Sequence, residues 1–275
     1  VIVSSFSGGK TSAYMTWWLK NNTEEELVVL FANTGQEHPN TLDFVNRCDI
    51  EWGLNVVWLE ADVQPELGIG TKYKIVDYGS ASRDGKPFED VIKKYGIPNQ
   101  SYLHCTREMK LAPINAWAKD HCPKDRKMAV GIRVDEIDRM QADAKAKNII
   151  YPLVSMNPTD KRKVDRFWEV QPFTLDIPPL LGNCTWCWKK TLRKHLTLIK
   201  SNPEIYEFPA RMEREYAMCG SGDDPRVFFR GNKSTQDLIQ MAKNPFMPWH
   251  EDYQPSLFNE FDVSDGCVEG CEVEF

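Results

Sequence analysis

The sequence lacks an apolar run of membrane-spanning length and lacks the short apolar core of a secretory leader. Neither a bilayer-crossing helix nor export is therefore expected, and the expected location is the cytoplasm, with no membrane partner. Internal repeats and low-complexity tracts are absent as well, which excludes a repeat array. An excess of positive charge is also missing: 34 Lys and Arg stand against 40 Asp and Glu, a formal net charge of −6. That balance argues against a protein that grips nucleic acid non-specifically through its overall charge. One local basic run exists, Lys189, Lys190, Arg193, Lys194 and His195, and it reads first as a solvated helix face. Histidines are few, and His38, His121, His195 and His250 show no ligand spacing.

Cysteine is not scarce. The eight residues are Cys48, Cys105, Cys122, Cys184, Cys187, Cys219, Cys267 and Cys271. Without a leader, such a set reads as metal-ligating or redox-active rather than as a disulfide framework. Cys48 and Cys122 sit in helix-like or loop contexts and read as packing residues. Cys184 and Cys187, separated by two residues, are the strongest metal signal, because that spacing brings two thiolates to one ion or cluster.

The most informative stretch is the first dozen residues. A short apolar run leads into Ser7, Gly8, Gly9, Lys10, Thr11 and Ser12, and then into a helical pattern. A strand, a glycine turn and a helix start form an anion site: backbone N–H groups approach phosphate oxygens, and Lys10 adds a full positive charge. Two phosphate loops compete for this reading. The Walker pattern G-x-x-x-x-G-K-[ST] would put its first glycine at Ser4, whereas S-G-G-x-[DT]-S matches residues 7–12 throughout.

The following chain alternates strand-like and helix-like segments. Strands are predicted over 1–5, 26–32, 55–60 and 127–132, with another extended piece over 148–154; helices are predicted to about residue 21 and over 41–52, 107–120 and 163–168. Residues 63–99 read as loops and short helices. The expected fold is α/β: a parallel twisted sheet with helices on both faces over 1–180, then a helical, cysteine-containing appendage with an irregular tail over 181–275. The appendage is expected to pack back on the sheet.

The loop after the second strand carries Asn33, Thr34 and Gly35, where open α/β sheets build ligand sites. With SFSGGKTS before it and NTGQEHP around it, the chain resembles the phosphoadenosine phosphosulfate (PAPS) reductase family of the PP-loop superfamily. In that family an acidic residue stands where this chain has Asn33. Cys105, Thr106, Arg107 and Lys110 resemble the family's C-T-x-x-x-K segment. Gly131, Ile132, Arg133, Asp135 and Glu136, with Arg139, resemble its G-[IL]-R-x-[DE]-[ES] nucleotide motif. Gly182, Asn183, Cys184 and Cys187 resemble the G-N-C-x-x-C segment of iron–sulfur members, including phage-type members and DNA phosphorothioation sulfurtransferases. The likeness spans roughly residues 1–195.

The resemblance implies an adenine nucleotide, ATP or a sulfonucleotide (PAPS or its non-phosphorylated form, APS), on residues 7–12, 33–35, Arg107, Lys110, Gly131 and Arg133. Guanidinium forks suit phosphate and sulfate oxygens; the competing reading of Arg139 is a surface salt bridge. Asp135 and Glu136 read equally as holders of magnesium, a ribose hydroxyl or Arg133. A [4Fe–4S] cluster is expected on Cys105, Cys184 and Cys187, with Cys267 or Cys271, less readily Cys219, or no protein ligand at all in the fourth position. Zinc is the alternative, and Trp186 and Trp188 are the shield. Two chemistries share such a site. One is ATP-dependent sulfur transfer, in which Lys10 offsets charge, Cys105 belongs to the sulfur-handling centre, and a sulfur-donor protein and a nucleic-acid or small acceptor are the candidate partners. The other is sulfonucleotide reduction with Cys271 as nucleophile. A non-catalytic nucleotide sensor and a P-loop kinase are the remaining alternatives.

Overall fold

The structure, a computed structural model, describes residues 1–66, 68–253 and 261–262. Six strands form one sheet: β1 (Ile2–Ser5), β2 (Leu27–Asn33), β3 (Val57–Asp62), β4 (Lys72–Val76), β5 (Lys127–Ala129) and β6 (Ile149–Ile150), in the spatial order β4-β3-β2-β1-β5-β6. All neighbours run parallel except β3 and β4. The helices between them are α1 (Lys10–Asn22), α2 (Pro39–Trp52) and α3 (Lys86–Tyr95). Next comes α4 (His104–Thr106), which passes through a π-helical turn (Arg107–Leu111) into α5 (Ala112–His121). Beyond β6 come α6 (Pro152–Ser155), α7 (Lys161–Glu169), α8 (Leu192–Ser201), α9 (Glu207–Tyr216) and α10 (Thr235–Lys243).

β1 is buried along its whole length, and the apolar run of β2 follows from burial on both faces. Side chains alternate across a strand, so Ile2, Val29 and Phe31 join one core with α1, α2 and α7, while Val3, Leu30 and Ala32 join another with α5. Each fully buried large side chain here contributes roughly 1.5–3 kcal/mol. Cys48 is fully buried in the first core, as a packing residue should be.

Three predicted elements differ. The segment 63–99 contains the antiparallel edge strand β4 as well as α3, so the sheet is mixed rather than purely parallel. The polar, half-exposed pattern of Lys72–Val76 masks a strand with only one partner. The extended piece over 148–154 is a strand only at Ile149–Ile150; Pro152 then opens α6, because its fixed φ suits a first helical position. The basic run is not a solvated face either. Lys190, Arg193 and His195 are buried, and Arg193 pairs with Asp262 at 2.6 Å.

A third core unites α3 and Met109 with Trp186, Trp188, α8 and α10. The cysteine-bearing segment therefore packs against the chain inserted between β3 and β5. Trp186 stacks on Phe88, with ring centroids 5.3 Å apart. Among the described residues no helix is long and apolar enough to cross a membrane.

Candidate functional site

The chain leaves β1 for β2 and β3 on one side and returns to β5 and β6 on the other, so the strand order reverses beside β1. Open α/β sheets bind ligands in the crevice at such a point, beyond the carboxyl ends of the strands. Two loops meet there, one after β1 and one after β5.

The first is the glycine loop. Gly8 has φ +79°, and a Cβ there would stand 2.6 Å from Thr41 Cγ2, so only glycine fits. Ser12 Oγ donates to the Gly9 carbonyl at 3.0 Å and accepts from the Ser7 N–H at 3.2 Å, which closes the loop on itself. No side chain caps α1 at Gly9. Its first-turn N–H groups are thus left for a ligand, at the positive end of a 13-residue helix. Ser4, by contrast, lies inside β1, buried, with its hydroxyl 2.7 Å from Thr16 Oγ1. The Walker alternative would need a loop at that position, and none exists there.

The second loop supplies Arg133. Its guanidinium donates to Thr11 Oγ1 at 3.0 Å and to Asp135 at 3.0 and 3.1 Å. Glu136 sits between Arg133, at 3.4 Å, and Arg139, at 2.6 Å. Of the readings open for Asp135 and Glu136, the structure realises the contact with Arg133, and it lowers the pKa of Asp135. Arg139 makes its ion pair and lines the crevice at once.

The crevice is a cavity of about 540 Å³. Ser7, Gly9, Lys10, Thr11, Arg133, Glu136 and Arg139 line it at the loop end. Lys161, Asp165, Lys194 and Trp249 also line it, with Gly182, Asn183 and apolar residues of the stretch 175–181. Trp168 Nε1 donates to the Lys10 carbonyl at 3.1 Å and fixes the start of α1. Sequence reasoning missed Lys161, Asp165 and Trp249 as wall residues. Only the capping residue Asp160, whose side chain accepts from the Lys163 N–H, marks the start of α7 locally. Nothing local marks Trp249.

Several expected site residues lie off this cavity wall. Asn33 is fully buried and spends its amide on Glu60 Oε1 and the Ser82 carbonyl, both at 2.8 Å, while Gly35 N–H donates back to it at 3.1 Å. Thr34 bonds Glu37 through both its N–H and its hydroxyl. The NTG triplet thereby shapes the loop that receives the cysteine segment. Arg107 pairs with Glu108 at 2.6 Å and contacts His104 at 3.2 Å, Lys110 is buried in the π-helical turn, and Cys105 packs against the third core. Burial and the neighbouring Arg107 push His104 down to about 4.

The cysteine segment docks on residues 36–38. His38 N–H donates to the Asn183 carbonyl at 2.6 Å, Glu37 bridges Cys184, and Trp186 Nε1 donates to Gln36 Oε1 at 2.6 Å. Cys187 N–H bonds the Cys184 carbonyl at 3.3 Å, which places both thiols on one turn. Burial raises the Cys184 thiol pKa, with Cys187 and Glu37 adding and Lys190 and Lys110 opposing. Lys190 Nζ lies 3.3 Å from where a Cβ on Gly182 would stand, so glycine makes room for that ammonium. Among the described residues no three of His, Cys, Asp and Glu come together as a metal site. The turn thus offers two soft ligands without Cys105 joining them, and Cys267 and Cys271 lie outside the described residues.

Comparisons with known proteins agree with this architecture. The family model of the phosphoadenosine phosphosulfate reductase domain matches residues 1–84. An uncharacterized nin region protein of Escherichia phage lambda is 31% identical over 280 residues, covering 98% of this chain and 94% of the relative. Two uncharacterized proteins of Methanocaldococcus jannaschii are 32% and 25% identical over 44% and 48% of the chain, which there matches only 23% and 22% of the relative.

Proposed function

Because the chain belongs to the phosphoadenosine phosphosulfate reductase family, we propose that it is an enzyme of sulfur chemistry that binds ATP in the crevice beside β1. The observation that carries this reading is the Arg133–Thr11 contact, which sets a guanidinium and Lys10 beside the uncapped end of α1 on one cavity wall. The phosphates sit on the N–H groups of the loop and first helical turn, where the helix end and both cations favour negative charge. An acceptor oxygen attacks the α-phosphorus, the bond to the β-phosphate breaks, and pyrophosphate leaves with the electron pair. Lys10 and Arg133 offset the charge that develops on the leaving group. A sulfur nucleophile then displaces AMP from the activated acceptor.

Cys184 and Cys187 are the residues that would hold an iron–sulfur centre, or zinc in its place, as two of its ligands. When bound, an iron–sulfur centre would supply sulfur or electrons to the adjoining site. Magnesium accompanies the triphosphate. A sulfur-donor protein and an acceptor, nucleic acid or small molecule, are the partners this chemistry requires.

Calorimetry with ATP and with PAPS, followed by assay of pyrophosphate release, tests the reading. Binding of ATP with pyrophosphate release in the presence of an acceptor is expected. Binding of PAPS with no binding of ATP would overturn it in favour of sulfonucleotide reduction.

A further inference from the structure

Asn183 stands where three segments meet. Its backbone carbonyl accepts from His38, its neighbour Cys184 bridges Glu37, and its Nδ2 donates to the Ser7 carbonyl of the phosphate loop at 3.1 Å. Only an NH2 group can bond that carbonyl, so the orientation of the side-chain amide is fixed. The other half, Oδ1, is buried and has no hydrogen-bond partner among the described residues, although the residue is only 4% exposed and lines the cavity. A buried acceptor left without a donor is costly, so its partner is to be sought in what the cavity takes up.

We propose that Asn183 Oδ1 accepts a hydrogen bond from a ribose hydroxyl of the bound adenine nucleotide, which makes Asn183 a selector for a ribose with free hydroxyls. This rests on the ATP reading above. Phosphate and sulfate oxygens are acceptors at neutral pH and offer nothing to an amide oxygen. The donors of an adenine nucleotide are the ribose hydroxyls and the adenine amino group. The amino group is at the far end of the nucleoside from the 5′-phosphates, whereas Asn183 is bonded to the loop that holds them. Of the carboxylates that also suit a ribose, Asp135 is engaged with Arg133 and Glu136 Oε1 with Arg139; Glu136 Oε2, 3.4 Å from Arg133, has no hydrogen-bond partner among the described residues and stands on the same cavity as a second acceptor, for the neighbouring hydroxyl. If the hydroxyl is the 3′ one, a 3′-phosphate, as in PAPS, would replace the donor by an acceptor-only group and set it against Oδ1.

The test is calorimetric binding of ATP, 2′-deoxy-ATP and 3′-deoxy-ATP to the wild type and to Asn183→Ala. The wild type is expected to bind at least one deoxy analogue about tenfold more weakly than ATP, the effect of one such hydrogen bond. In Asn183→Ala that ratio should fall to about one. Loss of the Ser7 tether would weaken all three ligands alike and leave the ratio unchanged, so the ratio reports the hydroxyl contact alone. Asn183→Leu, which keeps the side chain's volume and removes its acceptor, should likewise bring the ratio to about one, and it serves if the alanine variant does not fold. Equal binding of the three nucleotides by the wild type, or an undiminished preference in Asn183→Ala or Asn183→Leu, would each overturn the proposal while leaving ATP binding intact. Failure of the wild type to bind ATP at all would overturn the ATP reading, and this proposal with it.

Discussion

Arg133 donates to Thr11 Oγ1 at 3.0 Å across 122 residues of sequence, tying the loop after β5 to the first turn of α1. This bond spans the reversal of strand order. It turns two separate loops into one cationic wall and gives the glycine loop a partner that no local motif supplies.

Lys10 is the first residue to alter. Lys10→Ala is expected to weaken ATP binding by about 1.5–3 kcal/mol, the range for a charge-assisted contact. Calorimetry reads the loss, with circular dichroism confirming the fold. Unchanged affinity would remove the phosphate-loop assignment.

Arg193 and Asp262 test the tail's attachment. Arg193 is 3% exposed, bonds Asp262 through two nitrogens and donates to the Met247 carbonyl. Arg193→Ala would leave a buried carboxylate without its cation and should cost about 3–5 kcal/mol in urea unfolding. Arg47→Ala, which removes an exposed pair with Glu51, should cost about 0.5 kcal/mol or less. Similar losses in the two variants would contradict the burial seen for Arg193.

His195 predicts a pH dependence. Burial lowers its pKa from 6.5 to about 3, and Lys190 and Arg230 add to the shift; its Nδ1 lies 2.6 Å from the Tyr206 hydroxyl. The unfolded chain takes up a proton near pH 6.5 and the native state does not until about pH 3. Stability should therefore fall as pH drops through that window. His195→Gln should flatten this part of the profile in urea titrations between pH 7 and 4, and an unchanged slope would assign the dependence to other groups.

Cys184 and Cys187 predict metal content. Protein purified without air is expected to carry iron and acid-labile sulfide, and Cys184→Ser or Cys187→Ser should each abolish both. Zinc without sulfide would replace the cluster by a structural ion. Absence of any metal from such a preparation would refute both forms.

Much of the fold was legible because its signals are local. The apolar runs in the expected strands 1–5 and 26–32 were readable since both faces of β1 and β2 are buried, and the expected helix 41–52 carries apolar residues on its buried face. The edge strand Lys72–Val76 escaped because one-sided pairing leaves it polar and half exposed. In the site, Ser7, Gly9, Lys10, Thr11 and Arg133 were legible from motif chemistry, and they line the cavity. The role of Asn33 was not, because whether a small amide faces a ligand or a buried carboxylate such as Glu60 depends on what the neighbouring strand brings beside it.

The sequence by itself determined an α/β sheet, a glycine loop opening a helix, and a pair of thiols on one turn, all consequences of residues within a few positions of one another. Only the tertiary structure decided which distant groups meet them. It set Asn183 against Ser7 across 176 residues and left its second amide atom unpaired. It also buried Arg193 against Asp262 across 69 residues, where the basic run alone suggested a solvated face. The physical reason is that charge and hydrogen-bonding capacity are written in the residue, whereas burial and partners are properties of the packing, and those fix what each group can do.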